Sequence, residues 1–348
     1  MNIRENVPLA PLTTLGVGGH ARFFVRAENS EDLQAAIRFA ETRELPLFVL
    51  GGGSNVVISD RGWPGLVLQI ATSGISQEDA QGKTRFIVGA GEDWDLFVDY
   101  CVRRNCAGIE CLSGIPGSVG GTPIQNVGAY GQEVSEVIAT VVAFDRAENR
   151  VRELTAAECG FAYRSSIFNT TQRDRYIVLQ VTYDLKAGGG PALRYADLQK
   201  YFAGRDGTPT LLEVREAVRK IRATKGMLIS PGDPDSRSAG SFFKNPVLSE
   251  AQFREVVCRA QERSLQVPAY PALAQRHKIS AAWLVENSGF AKGYVKGRAG
   301  ISSKHALALI NRGGTTATEI TALKDEIQRR VKAAWGINLE PEPVFVGF

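Results

Sequence analysis

Three consecutive glycines that follow a short apolar run constrain this chain more than any other feature of its sequence. Gly51, Gly52 and Gly53 come directly after the apolar residues 45–50. Four to six apolar residues after a proline predict a buried strand. Successive glycines let backbone N–H groups turn toward a ligand without interference from a Cβ atom. The stretch therefore predicts a strand that ends in a loop suited to a diphosphate.

A second glycine-rich run covers residues 114–131, with too much glycine for a packed element and too much apolar content for a disordered linker. Neither run has the Rossmann or the Walker A spacing, so nicotinamide dehydrogenases and nucleotide hydrolases are not favoured. A tight turn between strands would explain the first run alone equally well. Two such backbone cradles in one chain favour a long, phosphate-bearing cofactor that lies across both.

Length, charge and the N-terminus exclude several classes of protein. The chain has 348 residues, 44% of them hydrophobic, which is enough for two or three cores. Its net charge of +4 comes without a Lys/Arg block, so no nucleic-acid partner is predicted. The N-terminus lacks the regions of a signal peptide, and no apolar run reaches membrane-spanning length. These features favour a soluble cytoplasmic protein with no membrane contact.

The five cysteines are expected to be reduced thiols, because their number is odd and their spacing is unpaired. Cys101, Cys106 and Cys111 follow one another at five-residue steps, which would scatter ligands around a helix. No histidine lies near them in the sequence. We therefore predict no metal site.

Apolar periodicity predicts a βαβ unit at the start of the chain. Residues 21–26 alternate as a strand, Ser30 is placed to cap a helix with Leu33 and Ile37 on its apolar face, and Pro46 opens the next strand. Such a unit places the first glycine run at the carboxyl edge of a parallel pair of strands.

Residues 65–225 have the pattern of a second α+β region. Its predicted elements are strands at residues 66–70, 85–88, 137–144 and 176–185, and helices at residues 93–106 and 211–225. Residues 188–191 are glycine-rich and separate a loop insertion. The arginines of the last helix, including Arg215, predict a partly solvated face.

A third region begins near Gly226. Its predicted elements are helices that start at Ser249, Ser280 and Thr316, of which the last ends at Gly336, and a strand at residues 307–310. The tail is predicted to be extended, because prolines flank Glu342 on both sides. The chain is therefore divided into residues 1–64, 65–225, 226–335 and a C-terminal strand at 336–348.

Three polar side chains are candidates for chemistry, each with a structural alternative. Ser241 has no neighbouring histidine and no Gly-x-Ser-x-Gly elbow, so it could equally be a turn residue. Arg164 is bracketed by apolar residues, which favours a fixed guanidinium that binds a carboxylate or phosphate over a surface pair with Tyr163. Glu342 could be the exposed side of an edge strand.

Together, these segments resemble the UDP-N-acetylenolpyruvoylglucosamine reductase family. Seven motifs carry the resemblance in the same order, at residues 14–19, 50–55, 114–121, 125–131, 163–168, 240–246 and 339–342. The chain departs from the family at Leu15, where phenylalanine is common, at Ala162, where glycine is frequent, and over residues 227–238. Ser241 and Tyr195 place it with the serine subgroup that has an extra tyrosine loop.

The resemblance implies an α+β protein with an FAD-binding fold of the vanillyl-alcohol-oxidase type. Residues 1–64 and 65–225 would hold non-covalent FAD, residues 226–335 would close over a UDP-sugar, and residues 336–348 would carry Glu342 back to the active site. NADPH would give a hydride to flavin N5, from which it passes to C3 of an enolpyruvyl group. The product would be UDP-N-acetylmuramate for peptidoglycan, made by a protein that is expected to be a monomer.

The resemblance also implies roles for individual residues. Ser241 would give a proton to C2 of the substrate, and Arg164 and Glu342 would flank the enolpyruvyl carboxylate; whether Glu342 shares a proton or orients a water stays open. The implied substrate contacts are Tyr163, Tyr195, Lys225 and Asn245. The implied cofactor contacts are Gly51, Gly52, Gly53, Ser54, Asn55, Gly114, Ser118, Gly120, Gly121, Gln125, Asn126, Gly128, Ala129 and Tyr130.

Two other functions agree with parts of the sequence. An oxidase of the same cofactor fold often tethers FAD through a histidine, but His20, His277 and His305 all lie away from the first glycine run. A nucleotide-binding module without activity would explain the glycine runs. It would not explain why Arg164, Ser241 and Glu342 occur together in family motifs.

Overall fold

The structure is a computed structural model that describes residues 1–80, 82–272 and 276–348. Its helices are α1 (Ser30–Thr42), α2 (Trp94–Arg103), α3 (Ala196–Tyr201), α4 (Leu211–Thr224), α5 (Glu250–Gln261), α6 (Ala281–Glu286) and α7 (Ala317–Trp335). Its strands are β1 (Arg4–Pro8), β2 (His20–Ala27), β3 (Leu47–Leu50), β4 (Val56–Ile58), β5 (Trp63–Ile70), β6 (Ile75–Ala80), β7 (Lys83–Gly89), β8 (Cys106–Ala107), β9 (Gly128–Ala129), β10 (Gln132–Glu133), β11 (Ile138–Asp145), β12 (Arg150–Thr155), β13 (Tyr176–Ala187), β14 (Ser238–Ser241), β15 (Val247–Leu248), β16 (Ala269–Ala272), β17 (Arg276–Ile279), β18 (Val295–Lys296), β19 (Ala299–Ile301), β20 (Ala308–Asn311) and β21 (Val344–Val346).

The chain forms two compact units, each assembled from several segments. Unit 1 comprises Met1–Val7, Ala21–Gly53 and Trp63–Thr224, and unit 2 comprises Pro8–His20, Ser54–Gly62 and Lys225–Phe348. The segment Ser54–Gly62 belongs to unit 2, because its strand β4 pairs in parallel with β21 and its Val57 packs into the core of that unit. The division at residues 64, 225 and 335 stays a prediction.

The first sheet of unit 1 has the strand order β1-β2-β5-β3. The predicted strand, helix and strand are present, but β2 and β3 are not neighbours, because β5 lies between them and is parallel to both. Leu66, Val67 and Leu68 of β5 have no exposed surface. A strand that is apolar on both faces is most stable at the centre of a covered sheet, which explains the insertion.

Helix α1 packs Leu33 and Ile37 into the core of unit 1, as its apolar periodicity predicted. The predicted cap at Ser30 was wrong by one residue. Asn29 is the cap, because its backbone is extended and its side chain accepts a hydrogen bond from Asp32 N at 2.8 Å.

The second sheet of unit 1 is antiparallel, with the strand order β12-β11-β13-β7-β6 and with β8 paired to β13. The predicted alternation in β13 is confirmed, because Ile177, Leu179, Val181, Tyr183 and Leu185 are all buried. They share one core with Trp94 and Phe97 of α2 and with the first sheet.

Helix α4 departs from the predicted pattern. Its buried face carries Val214 and Val218, which pack against Leu198 of the insertion helix α3. Arg215 was predicted to lie on a partly solvated face, but only 7% of its surface is exposed. Its guanidinium is buried because it pairs with Asp95 and Asp99 of α2.

Unit 2 contains the antiparallel sheets β14-β20-β19-β18 and β15-β17-β16 beside the β4–β21 pair. Helix α7 is confirmed with both predicted ends, since Thr316 and Glu319 form a capping box and Gly336 is left-handed with φ 73°. The predicted caps Ser249 and Ser280 are also confirmed. One face of α7 is fully buried and carries Ile320, Leu323, Ile327 and Val331.

All five cysteines are free thiols. Burial raises the pKa of the Cys101 and Cys111 thiols far above the usual range, and it raises the pKa of Cys159 to about 12. These thiols therefore stay protonated at neutral pH and are poor metal ligands. Within the described ranges, no helix is long and apolar enough to cross a membrane.

Candidate functional site

The two glycine runs meet within unit 1, although they are far apart in the sequence. A Cβ atom added to Gly52 would lie 2.6 Å from Gly117 Cα and 2.9 Å from Ser118 N. A Cβ atom on Gly51 would lie 2.9 Å from Ser118 Oγ. No larger residue fits at Gly52, so the two runs form one surface made of backbone groups.

The second glycine run is held by backbone hydrogen bonds to the start of α2 and to the residues that follow β7. Trp94 N donates to Gly117 O at 3.1 Å, and Val119 N donates to Glu92 O at 2.9 Å. Gly120 N donates to Ala90 O at 2.8 Å. The backbone that faces Gly52 is therefore positioned by the core of unit 1.

Asn126 was predicted to be a cofactor contact, and its side chain is already engaged within unit 1. Its Nδ2 donates to Glu133 Oε2 at 2.8 Å and to Ala162 O at 3.0 Å, while its Oδ1 accepts from Ser135 N at 3.1 Å. The residue is buried and left-handed, with φ 47°. The side chain thus shapes the second run, which leaves the backbone as the part of Asn126 suited to a ligand.

Arg164 is held on a tight turn in unit 1. Ala162 and Ser165 exchange backbone hydrogen bonds of 2.9 and 3.0 Å, so Tyr163 and Arg164 form the tip. Arg164 adopts the strained left-handed region with φ 52°. Its Nη2 donates to Gly128 O at 2.7 Å, which ties the guanidinium to the second glycine run. This contact favours the fixed guanidinium over an exposed surface pair.

Two tyrosines from the predicted site meet in unit 1, and an arginine that sequence reasoning missed joins them. The rings of Tyr130 and Tyr195 pack edge to face with centroids 5.3 Å apart. Arg222 of α4 hydrogen-bonds to Tyr130, and its Nε donates to Gly114 O at 3.1 Å. In the sequence, Arg222 was one of several arginines on α4, and nothing in its spacing marked it as different.

Ser241 and Glu342 are brought together in unit 2 by paired backbone segments. Glu342 N donates to Phe242 O at 2.9 Å, and Lys244 N donates to Glu340 O at 3.0 Å. Phe242 and Phe243 are buried, which fixes the segment directly after Ser241. The C-terminal tail is therefore hydrogen-bonded to the segment that directly follows the candidate proton donor Ser241.

Asn55 anchors the same tail in unit 2. Its Nδ2 donates to Glu342 O at 3.3 Å, and Val344 N donates to its backbone O at 2.9 Å. Ser54 accepts a long hydrogen bond of 3.4 Å from Thr14 Oγ1, which also donates to Ser238 O at 2.7 Å. Two predicted cofactor contacts thus also order the strands around Ser241.

The remaining predicted substrate contacts also lie in unit 2. Asn245 Oδ1 accepts a hydrogen bond of 2.9 Å from Ala281 N, at the first residue of α6. Burial, together with the charges of Lys225 and Lys292, lowers the pKa of His305 to about 4. His305 is therefore neutral at physiological pH, and the positive charge of this region resides on the lysines, which suits an anionic ligand.

Each unit therefore holds its own share of the predicted site. Unit 1 contains Gly51, Gly52, Gly53, Gly114, Ser118, Gly120, Gly121, Gln125, Asn126, Gly128, Ala129, Tyr130, Tyr163, Arg164 and Tyr195. Unit 2 contains Ser54, Asn55, Lys225, Ser241, Asn245 and Glu342. At Gly52 the backbone of the first glycine run lies directly against that of Gly117 and Ser118, so main-chain groups of both runs are presented together. Such a backbone surface is of the kind that binds the diphosphate of a dinucleotide cofactor.

Two family models match separate parts of this chain. A family model described as an FAD binding domain matches residues 21–153. A model described as the C-terminal domain of UDP-N-acetylenolpyruvoylglucosamine reductase matches residues 233–346. The crystal structure of that reductase from Thermus caldophilus is similar with a TM-score of 0.67 and 27% identity, and the similarity covers 99% of each chain.

Relatives with the same name match at higher identity. The reductase of Thermobifida fusca is 47% identical over 99% of this chain and 98% of its own length. That of Streptomyces avermitilis is 45% identical over 99% of this chain and 94% of its own length. Fold and site define an FAD-containing oxidoreductase with the α+β fold of the vanillyl-alcohol-oxidase type, as predicted. The chain belongs to the UDP-N-acetylenolpyruvoylglucosamine reductase family.

Proposed function

We propose that this protein reduces the enolpyruvyl group of UDP-N-acetylglucosamine enolpyruvate with NADPH, giving UDP-N-acetylmuramate for peptidoglycan in the cytoplasm. The observation that carries the proposal is the backbone pairing of the Ser241 and Glu342 segments in a member of this family. When bound, FAD would supply the two-electron chemistry that links NADPH to C3 of the substrate. The protein supplies binding, orientation and the proton.

The backbone surface formed by Gly52, Gly117 and Ser118 is the part of unit 1 that would hold FAD. Consecutive backbone N–H groups without side chains form a concave site for a diphosphate. Tyr130 packs on Tyr195 and gives the C-terminal end of the second glycine run an aromatic face. The attachment is proposed to be non-covalent, and within the described residues neither glycine run contains a histidine that could tether the flavin.

Ser241 is the proposed proton donor to C2. A serine hydroxyl is a very weak acid, but hydride addition at C3 makes C2 an enolate-type carbon, which is a strong base. The hydroxyl must therefore be held in place when that charge develops. Half-buried Ser241 meets this need, because β14 pairs with β20 at Ala308 and the next two residues are buried phenylalanines.

Arg164 and Glu342 are proposed to act on the enolpyruvyl carboxylate. Negative charge builds on this carboxylate when hydride adds to the conjugated alkene, so a planar guanidinium stabilises the transition state more than the ground state. The bond from Arg164 to Gly128 O fixes the direction of its fork. Glu342, whose backbone is fixed by Phe242 O, either shares a proton with the carboxylate or orients a water.

The rest of the substrate is proposed to bind through Tyr163, Tyr195, Lys225 and Asn245, with Lys225 on the diphosphate. The positive charge of Lys225 and Lys292 around neutral His305 supports this role. The protein is proposed to act as a monomer.

The test is to measure NADPH oxidation by the FAD-loaded protein without oxygen, with the enolpyruvyl UDP-sugar as acceptor. UDP-N-acetylglucosamine, which lacks the alkene, is the matched control. We expect oxidation with the enolpyruvyl sugar only. Oxygen-dependent turnover that ignores the sugar would instead support an oxidase, and a protein that takes up no FAD would contradict the proposal.

A further inference from the structure

We propose that Asp95 is a positioning residue for the FAD site, because it holds the backbone at the start of the second glycine run. The inference rests on the proposed function, since it concerns the run that would cradle the cofactor. Asp95 lies in the first turn of α2 and belongs to none of the motifs that suggested the site.

Both polar backbone groups of Gly114 are bound by charged side chains. Gly114 N donates to Asp95 Oδ1 at 2.6 Å, and Gly114 O accepts from Arg222 Nε at 3.1 Å. Gly114 is left-handed, with φ 72°, so its orientation is not set by a regular element. The two side chains therefore set the direction in which the second run leaves this point.

Asp95 is itself rigidly held by α4. Arg215 donates to both of its carboxylate oxygens at 2.6 and 3.2 Å, and Arg219 donates to Oδ2. Burial opposes ionisation, but the hydrogen bonds from Arg215 and Gly114 N outweigh it and keep the pKa of Asp95 below its usual value. The carboxylate is thus ionised at neutral pH and joins α2, α4 and Gly114 in one network.

The position of Gly114 matters because the second glycine run is tightly packed a few residues further along the chain. Gly117 and Ser118 approach Gly52 so closely that no Cβ atom fits between them. A small displacement at Gly114 would therefore change the backbone surface proposed for the cofactor. Arg222 extends the effect to the far end of the run, since it bonds both Gly114 O and the Tyr130 side chain.

Asp99 provides a matched control one helical turn further along α2. It also pairs with Arg215, through Nε at 3.0 Å, and with Arg103 at 2.6 Å. Its described hydrogen bonds go to these arginines and not to the glycine run. Asp95→Asn and Asp99→Asn thus remove the same charge from the same network, but only the first weakens the hold on Gly114.

The experiment measures FAD binding to the apo-protein by flavin fluorescence, together with the melting temperature of each apo-variant. We expect Asp95→Asn to raise the Kd for FAD roughly 10- to 100-fold, because a neutral amide oxygen accepts from Gly114 N and from the arginines more weakly than a carboxylate does. Asp99→Asn should bind FAD within about twofold of the wild type. Equal Kd values for the two variants would overturn the proposal, even if both lowered the melting temperature.

A second variant keeps the test decisive if Asp95→Asn does not fold. Asp95→Glu retains the charge and the arginine partners, but its extra methylene moves the acceptor relative to Gly114. We expect a folded protein with weakened FAD binding, and wild-type affinity would overturn the proposal. A wild-type protein that binds no FAD would instead contradict the proposed function itself, so the two failures are distinguishable.

Discussion

The two units hold their candidate catalytic groups by different means. In unit 1, Arg164 lies on a strained turn, and its position depends on a side-chain hydrogen bond to Gly128 O. In unit 2, Ser241 and Glu342 are positioned by main-chain hydrogen bonds between neighbouring segments. Main-chain bonds survive a change of side chain, whereas side-chain bonds do not. Substitutions should therefore remove chemistry alone in unit 2, but chemistry and position together in unit 1.

The largest effect is expected for Ser241→Ala. Because the backbone pairing stays intact, flavin reduction by NADPH should be nearly unchanged. Flavin reoxidation by the enolpyruvyl sugar should slow by about 10²–10⁴-fold, the usual contribution of a general acid. Anaerobic stopped-flow absorbance measures both half-reactions. Ser241→Cys, which restores an acidic group, should recover part of the rate, and equal slowing of both half-reactions in Ser241→Ala would mean that the serine is structural.

Arg164→Lys should slow the same reoxidation step by about 10²-fold, because lysine keeps the charge but lacks the planar fork. The loss of the bond to Gly128 O should also raise the KM for the sugar, which would show that position and chemistry are coupled in unit 1. Steady-state kinetics with Arg173→Lys, an exposed arginine of the same unit, provides the control. An unchanged KM with a lowered kcat would place Arg164 in the same class as Ser241.

Glu110→Gln tests whether unit 1 depends on buried side-chain bonds away from the chemistry. Glu110 has no exposed surface and accepts hydrogen bonds of 2.8 Å from Gly108 N, Gln132 Nε2 and Ala192 N. An amide can turn only one acceptor oxygen toward these donors, so we expect a loss of about 1–3 kcal/mol in the free energy of unfolding. Chemical denaturation measures it, with the exposed Glu41→Gln as control. Equal stability of the two variants would contradict the prediction.

The smallest effect is expected for Asp145→Asn, and it should depend on pH. A hydrogen bond from Arg175, opposed by burial, holds the pKa of Asp145 at about 2. Since this lies below the unfolded value of about 4, the carboxylate stabilises the fold above pH 4 and loses that effect as the pH falls toward 2. We expect Asp145→Asn to cost about 1–2 kcal/mol at neutral pH and progressively less below pH 4. A difference that stays constant in acid would rule out this linkage.

The sequence predicted well those features that depend on local pattern. The caps at Ser249, Ser280 and Thr316, the end of α7 at Gly336 and the buried alternation in β13 all follow from local periodicity and capping chemistry. The two glycine runs were recognised for the same reason. The sequence predicted a cofactor lying across both runs but not their direct contact, which the lack of a Cβ atom at Gly52 allows.

Features that depend on distant partners were missed. The position of β5 between β2 and β3 is decided by which strand is most completely covered, and a short apolar run does not reveal this. Arg215 looked solvated because its carboxylate partners lie on a different helix. Arg222 was missed because its partners are a backbone carbonyl and a tyrosine in the second glycine run.

A single turnover without oxygen tests the proposed function most directly. The FAD-loaded protein is reduced with NADPH, freed of nucleotide and mixed with an equimolar amount of the enolpyruvyl UDP-sugar in D2O. We expect the absorbance of oxidised flavin to return in full and the sugar product to carry deuterium at C2. Flavin that stays reduced until air is admitted, with the sugar recovered unchanged, would contradict the proposed function.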